Sequence, residues 1–155
     1  MGQINFDRPE GIDMPAFLKD IKTLSNGKPI TRQEYMFNQA GVVGRLLELK
    51  PAPVIIIEGL FIFHFPEIRE ILDFKIFMES HHQTRLARRL ERDKKERGVT
   101  EELILYQWEK HVMPAYETFL LPYRDKADLI IDNEGPVDDA VLKLSKIIKN
   151  KMGLK

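Results

Sequence analysis

An α/β fold with helices around a parallel sheet is what this sequence predicts, and two observations carry the prediction. The runs Val54–Ile57, Phe74–Met78 and Ala127–Ile131 are too short for helices and largely apolar, as the strands of a covered parallel sheet are. Segments with helical apolar spacing alternate with them, which is the chain order of such sheets. The 155 residues suffice for one domain with its own core, and no internal repeat, low-complexity tract or interdomain linker interrupts them.

Taken in order, Pro9-Glu10-Gly11 is turn chemistry, and Asp13 is placed to cap a helix starting at Met14-Pro15. Phe17, Leu18, Ile21 and Leu24 form its apolar face, and Asn26-Gly27 ends it. Lys28 to Phe37 reads as a small strand pair or an extended loop. Pro51 and Pro53 lead into a strand over Val54–Ile57, ended by Glu58-Gly59. Phe61, Ile62, Phe63 and Phe65 follow as a second apolar patch, and Pro66 opens a short helix to about Leu72. After the 74–78 strand, residues 81–97 form a strongly charged helix. Residues 100–118 form another, carrying Leu103, Ile104, Trp108 and Val112 and kinked or ended near Pro114. A final strand over 127–131 precedes an amphipathic helix from Val137 to about Ile148.

Lys plus Arg equals Asp plus Glu at 24 each, so no whole-protein field favours nucleic acid or an anionic membrane, and any anion site must come from local clustering. The absence of cysteine excludes disulfides, thiolate metal sites and cysteine nucleophiles, and it fits a reducing compartment. The four histidines lack the helical spacing of a zinc site. No apolar run approaches the length that spans a bilayer, and the first residues lack a signal-peptide core. A soluble, cytoplasmic chain without nucleic-acid or membrane partners is expected.

Three places could carry chemistry. Glu58 stands at the carboxyl end of the 54–57 run, where open α/β sheets present their ligand crevice; it could hold magnesium or simply pair with a nearby cation. In the charged helix, Arg85, Arg88, Arg89, Arg92, Lys94, Lys95 and Arg97 meet only Glu91, Asp93 and Glu96. Arg85, Arg89 and Arg92 recur at helical spacing, so one face can offer several guanidinium forks to phosphate. Taken alone, such a helix is more often a solvated face laced by pairs such as Arg89 with Asp93. The turn Asn5 to Glu10 could hydrogen-bond sugar hydroxyls through Asp7 or be an ordinary turn.

In order and spacing, these pieces resemble the uridine kinase family, in the phosphoribulokinase and uridine kinase group of P-loop kinases. The likeness runs through Asn5-Phe6-Asp7-x-Pro9, Gly27-Lys28-Pro29-Ile30, Tyr35-x-Phe37 and Ile57-Glu58-Gly59. It continues through Arg85-Leu86-Ala87-Arg88-Arg89-x-x-Arg92-Asp93-x-x-Glu96-Arg97-Gly98 and Tyr123-x-x-x-Ala127-Asp128-Leu129-Ile130-Ile131. The resemblance implies a single nucleoside-kinase-like domain over 1–155, a P-loop-kinase-like parallel sheet with flanking helices, and a lid helix over 81–98. It implies ATP and Mg2+ as cofactors and a nucleoside as acceptor. Asp7 would bind the ribose hydroxyls, and Phe6, Tyr35 and Phe37 would line the base pocket. Arg89 and Gln107 would hold the nucleoside, Arg92 would meet the transferring phosphate, Arg88 and Arg97 would contact the nucleotide, and Glu58 would sit near the metal.

Two departures from the family pattern accompany the likeness. It begins downstream of the family's first strand, its Gly-x-x-x-x-Gly-Lys-Ser loop and its catalytic Asp, so the isolated chain is expected to be inactive. The incomplete sheet is expected to need a homo-oligomeric or other covering partner. Ala40, Met36 and Val99 stand where the family carries His, Asp and Arg, which implies weak discrimination between bases. The alternative to a kinase is a non-enzymatic nucleotide- or nucleoside-binding or oligomerising module derived from one.

Overall fold

The computed structural model describes residues 7–36 and 41–153. Its architecture is of the predicted α/β class, and the chain divides into two compact units, Met1–Ile68 and Arg69–Lys155.

In the first unit, α1 (Met14–Ser25) starts as its sequence dictates: Asp13 accepts a 3.1 Å hydrogen bond from the Ala16 N–H, and Pro15 occupies the first turn. Asn26 closes it, and Gly27 takes a left-handed φ of 73°. β1 (Ile30–Gln33) then pairs antiparallel with β2 (Leu46–Leu49), Ile30 opposite Leu49. β2 lies outside every strand expected from the sequence; Leu46-Leu47-Glu48-Leu49 lacks β-branched residues and is recruited by β1. Gly44 is required beside this ladder, because a Cβ there would run into the Glu34 carbonyl. The Arg32 side chain joins the hairpin to α1, donating to Asp20 and to the Ala16 carbonyl.

The strand expected over Val54–Ile57 does not form: the segment belongs to no ladder among the described residues, and Ile56 is 81% exposed. β-branched residues favour extended backbone, but a strand exists through its partners' hydrogen bonds, and this run has none to pair with. Among the described residues of this unit, Pro9, Ile21, Phe61, Phe63 and Ile68 are buried apolar residues. The helix expected from Pro66 to Leu72 is shorter, α2 (Pro66–Arg69).

In the second unit, β3 (Ile76–Glu79) and β4 (Leu129–Asp132) pair in parallel, with Glu79 opposite Asp132. A parallel pair needs a long crossover, supplied here by helices. α3 (His82–Arg97) ends at Gly98, whose φ of 64° lets its N–H bond back to the Asp93 carbonyl. α4 (Glu101–Gln107) continues into π turns at Trp108–Val112 and Tyr116–Leu120, separated by α5 (Met113–Ala115), and then a 3₁₀ stretch at Leu121–Lys126. Pro114 explains the widening: it has no N–H to give Lys110, and Met113 instead bonds back to Trp108. The expected kink is thus a change of helical register. α6 (Val137–Lys151) closes the chain. Phe77, Ile104, Trp108, Ala115 and Ile131 form the buried apolar set of this unit.

Candidate functional site

Asp93 is the one buried charged residue among those described, 2% exposed, and three arginines of its own helix surround it. Arg92 donates from Nε to Oδ1 at 2.8 Å, Arg97 places Nη1 3.2 Å from the same oxygen, and Arg89 lies 3.3 Å from Oδ2. Helical geometry brings them there: Arg89 and Arg97 stand one turn to either side of Asp93. Burial pushes the Asp93 carboxyl up, but the Arg92 hydrogen bond and the charges of Arg92, Arg97 and Arg89 outweigh it and hold the group below the ordinary aspartate value.

Arg89 also donates to Gln107 Oε1 of α4 at 3.1 Å, and Lys94 bridges to Glu101 at 2.6 Å, fixing α3 against α4 on both sides of Gly98. Nearer the start of α3, Trp108 donates to His82 Nε2 at 3.0 Å. The Arg85 guanidinium lies 4.1 Å from the centre of the Tyr116 ring, a cation–π contact. Most of α3 is exposed and it carries the Arg89–Asp93 pair expected of a solvated helix, but three of its five arginines are gathered on one buried carboxylate. Arg92, with half its side chain exposed, engages Asp93 through Nε, and a guanidinium carries five donors.

At the carboxyl end of the parallel pair, Arg124 grips Glu79 with two hydrogen bonds, 2.7 Å from Nε and 2.9 Å from Nη2. These bonds hold Glu79 below the ordinary glutamate range and raise Arg124. Reasoning from acids at strand ends singled out Glu58, on a segment that forms no strand among the described residues; the two strands of the parallel pair end in Glu79 and Asp132.

Of the residues marked in the sequence, Arg89, Arg92, Arg97 and Gln107 come together around Asp93. Arg88 is exposed on α3. In the first unit, exposed Glu58 lines a cavity of about 460 Å³ formed with Asp13, Phe17, Asp20, Ile21 and Ile55, among others, whereas neither Asp7 nor Tyr35 lines it. Tyr35 is 72% exposed. Phe6, Phe37 and Ala40 lie outside the described residues. Asp93 entered the sequence reading only as a pairing partner. The signal that could have found it is an acid four residues from an arginine on either side.

No helix among the described residues is long and apolar enough to cross a membrane. The family profile of the Phosphoribulokinase / Uridine kinase family matches residues 1–140. A "Uridine kinase" of Borrelia duttonii is 34% identical over 146 residues, covering 94% of this chain and 71% of the relative. "Uridine-cytidine kinase B" of Dictyostelium discoideum is 36% identical over 151 residues, 95% of this chain and 62% of the relative. "Uridine kinase-like protein 3" of Arabidopsis thaliana is 35% identical over 150 residues, 96% of this chain and 32% of the relative. The chain thus spans between 32% and 71% of the length of these three relatives.

Proposed function

The chain belongs to the phosphoribulokinase/uridine kinase family, and from that premise we propose that it is the nucleoside-holding and lid-bearing part of an ATP-dependent nucleoside kinase, a single domain whose lid is residues 81–98. One observation carries the reading furthest: Arg89, Arg92 and Arg97 converge on buried Asp93 while Arg89 also holds Gln107. In the reaction, the nucleoside 5′-hydroxyl oxygen attacks the γ-phosphorus and gives up its proton to the Asp base that the family carries beside its phosphate loop, the bond to the β–γ bridging oxygen breaks, and ADP departs. Such a transfer needs alignment and cations more than covalent chemistry. Arg92 meets the transferred group, Arg88 and Arg97 contact the nucleotide, and Arg89 with Gln107 holds the nucleoside. Asp7 takes the ribose hydroxyls, and Phe6, Tyr35 and Phe37 line the base. Because Ala40 and Met36 offer that base few polar contacts, the pocket prefers uridine over adenosine or inosine only weakly. The corresponding setting is cytoplasmic pyrimidine salvage.

Magnesium takes most of its oxygen ligands from water and phosphate, with one or two carboxylates. No cluster of three metal-ligating side chains occurs among the described residues. The exposed carboxylate of Glu58 therefore fits an ion carried in with the nucleotide, not a protein cage. Such an ion, when bound, neutralises phosphate charge.

The 155 residues contain no Gly-x-x-x-x-Gly-Lys-Ser run, so these residues alone do not turn nucleotide over. The same absence favours the second reading, a binding module, and the ladderless run at 54–57 favours a second copy or another partner that covers it. The test joins the family's phosphate-loop segment to this chain and measures nucleoside monophosphate formation. Turnover is expected there and not in the 155-residue chain; Arg92→Ala should lower it by roughly 10³–10⁵. Lys94→Ala, which loses only an exposed pair with Glu101, should change it less than about threefold, under about 1 kcal/mol. A comparably small effect of Arg92→Ala overturns the lid assignment, and nucleotide binding without turnover in the joined protein selects the binding module.

A further inference from the structure

α3 begins without a cap of its own: His81 makes no side-chain capping bond, and the first turn of the helix has no acidic residue. Four N–H groups at such an end lack helical partners, and the dipole leaves partial positive charge there. The carboxylate of Glu134, fifty residues on in the chain, supplies what is missing. Its Oε1 accepts from the His81 N–H at 2.6 Å, and its Oε2 from the Thr84 hydroxyl at 2.8 Å. The loop that carries it is itself tied down. The Asn133 N–H donates to the Glu79 carbonyl at 2.7 Å and the Glu134 N–H to Asp132 Oδ1 at 3.1 Å, while Arg124 grips the Glu79 carboxylate. Between β3 and α3 only Ser80 and His81 intervene, so this brace acts at the joint on which the helix would turn. At the other end Gly98, in its left-handed conformation, leads into α4.

We propose that Glu134 is a positioning residue: from the β4–α6 loop it fixes the hinge end of α3 and thereby sets where Arg89 and Arg92 stand. The proposal rests on the lid reading above. The loop and the lid then move as one, because displacing the loop after β4 withdraws the carboxylate from His81 and Thr84.

Amide hydrogen exchange on the full chain tests the brace, and calorimetric titration with inorganic tripolyphosphate tests its consequence. In Glu134→Ala, exchange at His81 and Arg85 should rise about fivefold to tenfold, the scale of a lost cap, while Phe77 and Ile131 in the parallel pair keep their rates. Glu134→Gln should restore most of the protection, since its carbonyl still accepts from the His81 N–H. Thr84→Val, which removes one of the two bonds, should give an intermediate effect and keeps the test valid if Glu134→Ala folds poorly. Tripolyphosphate affinity should fall in Glu134→Ala by about fivefold or more, as displaced binding groups lose their alignment, and recover in Glu134→Gln. Unchanged exchange at His81 and Arg85 overturns the proposal, as does faster exchange with unchanged affinity. A wild-type chain that does not bind tripolyphosphate overturns the lid reading instead, and exchange alone then decides whether Glu134 holds the helix.

Discussion

In the unit ending at Ile68, the most β-branched run of the sequence lies without a ladder, and Val43, Leu46 and Ile56 are each more than 70% exposed. In the unit beginning at Arg69, a run no more apolar, Phe74 to Met78, finds β4; ion pairs close around Asp93 and Glu79, and hydrogen bonds around Glu134. Composition does not separate the two; the availability of partners does. A strand is stable when its N–H and C=O groups are met, and a buried carboxylate is tolerable when cations and donors surround it. The second unit meets the second condition within its own residues, while its two strands, like those of the first unit, are paired along one edge each among the described residues.

That contrast can be broken most forcefully at Asp93. Asp93→Ala removes the one carboxylate shared by three guanidinium groups and should destabilise the second unit by about 3–5 kcal/mol, as loss of one partner from a buried ion cluster does. Hydrogen exchange should show the loss across α3 and α4 and leave α1 unchanged. Equal losses in both units would mean that Asp93 acts on global unfolding of the whole chain and not on α3 and α4 locally. Next in size is Ile104→Ala, at a fully buried position, which should cost about 2–5 kcal/mol by opening a cavity. Ile56→Ala, in the ladderless run, should lower the unfolding free energy of the uncovered monomer by no more than about 0.5 kcal/mol. A larger cost at Ile56 would reveal that this run is covered in solution.

Acid sharpens the same comparison without a substitution. Asp93, Glu79 and Glu134 all titrate below their ordinary values in the folded protein. Asp93 faces Arg92, Arg97 and Arg89; Glu79 faces Arg124 and His81; Glu134 faces Thr84, His81 and Arg88. A depressed carboxylate contributes stability that is fully present above the unfolded pKa, about 4, and is lost as pH falls through the folded value. Between pH 6 and pH 3, α3 should therefore lose exchange protection before α1 does. Simultaneous loss, or loss on raising the pH, would contradict the assignment of these contacts.

Legibility in the sequence follows the range of the interaction. α1, with Asp13, Pro15 and Asn26-Gly27, was readable because each signal acts within four residues, and α3 and α6 were readable from their spacing. The Val54–Ile57 strand failed because β propensity describes a preference for extended backbone and says nothing of the neighbour that must pair with it. β2 was missed for the complementary reason, that its partner made it. At the site, the arginines were visible as a cluster, but their convergence on Asp93 required three-dimensional burial. The Glu79–Arg124 grip and the Glu134 brace join residues 45 or more positions apart, beyond any local pattern.

The smallest effect expected separates a cap supplied locally from one supplied at a distance. Asp13 caps α1 from the adjacent position, accepting from the Ala16 N–H, and α1 is followed at once by β1, to which Arg32 ties it. Asp13→Ala should cost about 1 kcal/mol, within the 0.5–2 kcal/mol range of lost N-caps, and Asp13→Ser, which keeps an acceptor, should recover most of it. Because the Asp13 contact lies within one helix turn, its loss should fray only the first turn of α1, and exchange at Ile30 and Leu49 should stay unchanged. Loss of the distant Glu134 contact instead frees one end of a whole helix from the sheet that positions it. If Asp13→Ala also loosened the hairpin, the local cap would be transmitting strain through Arg32, and the distinction between the two caps would fail.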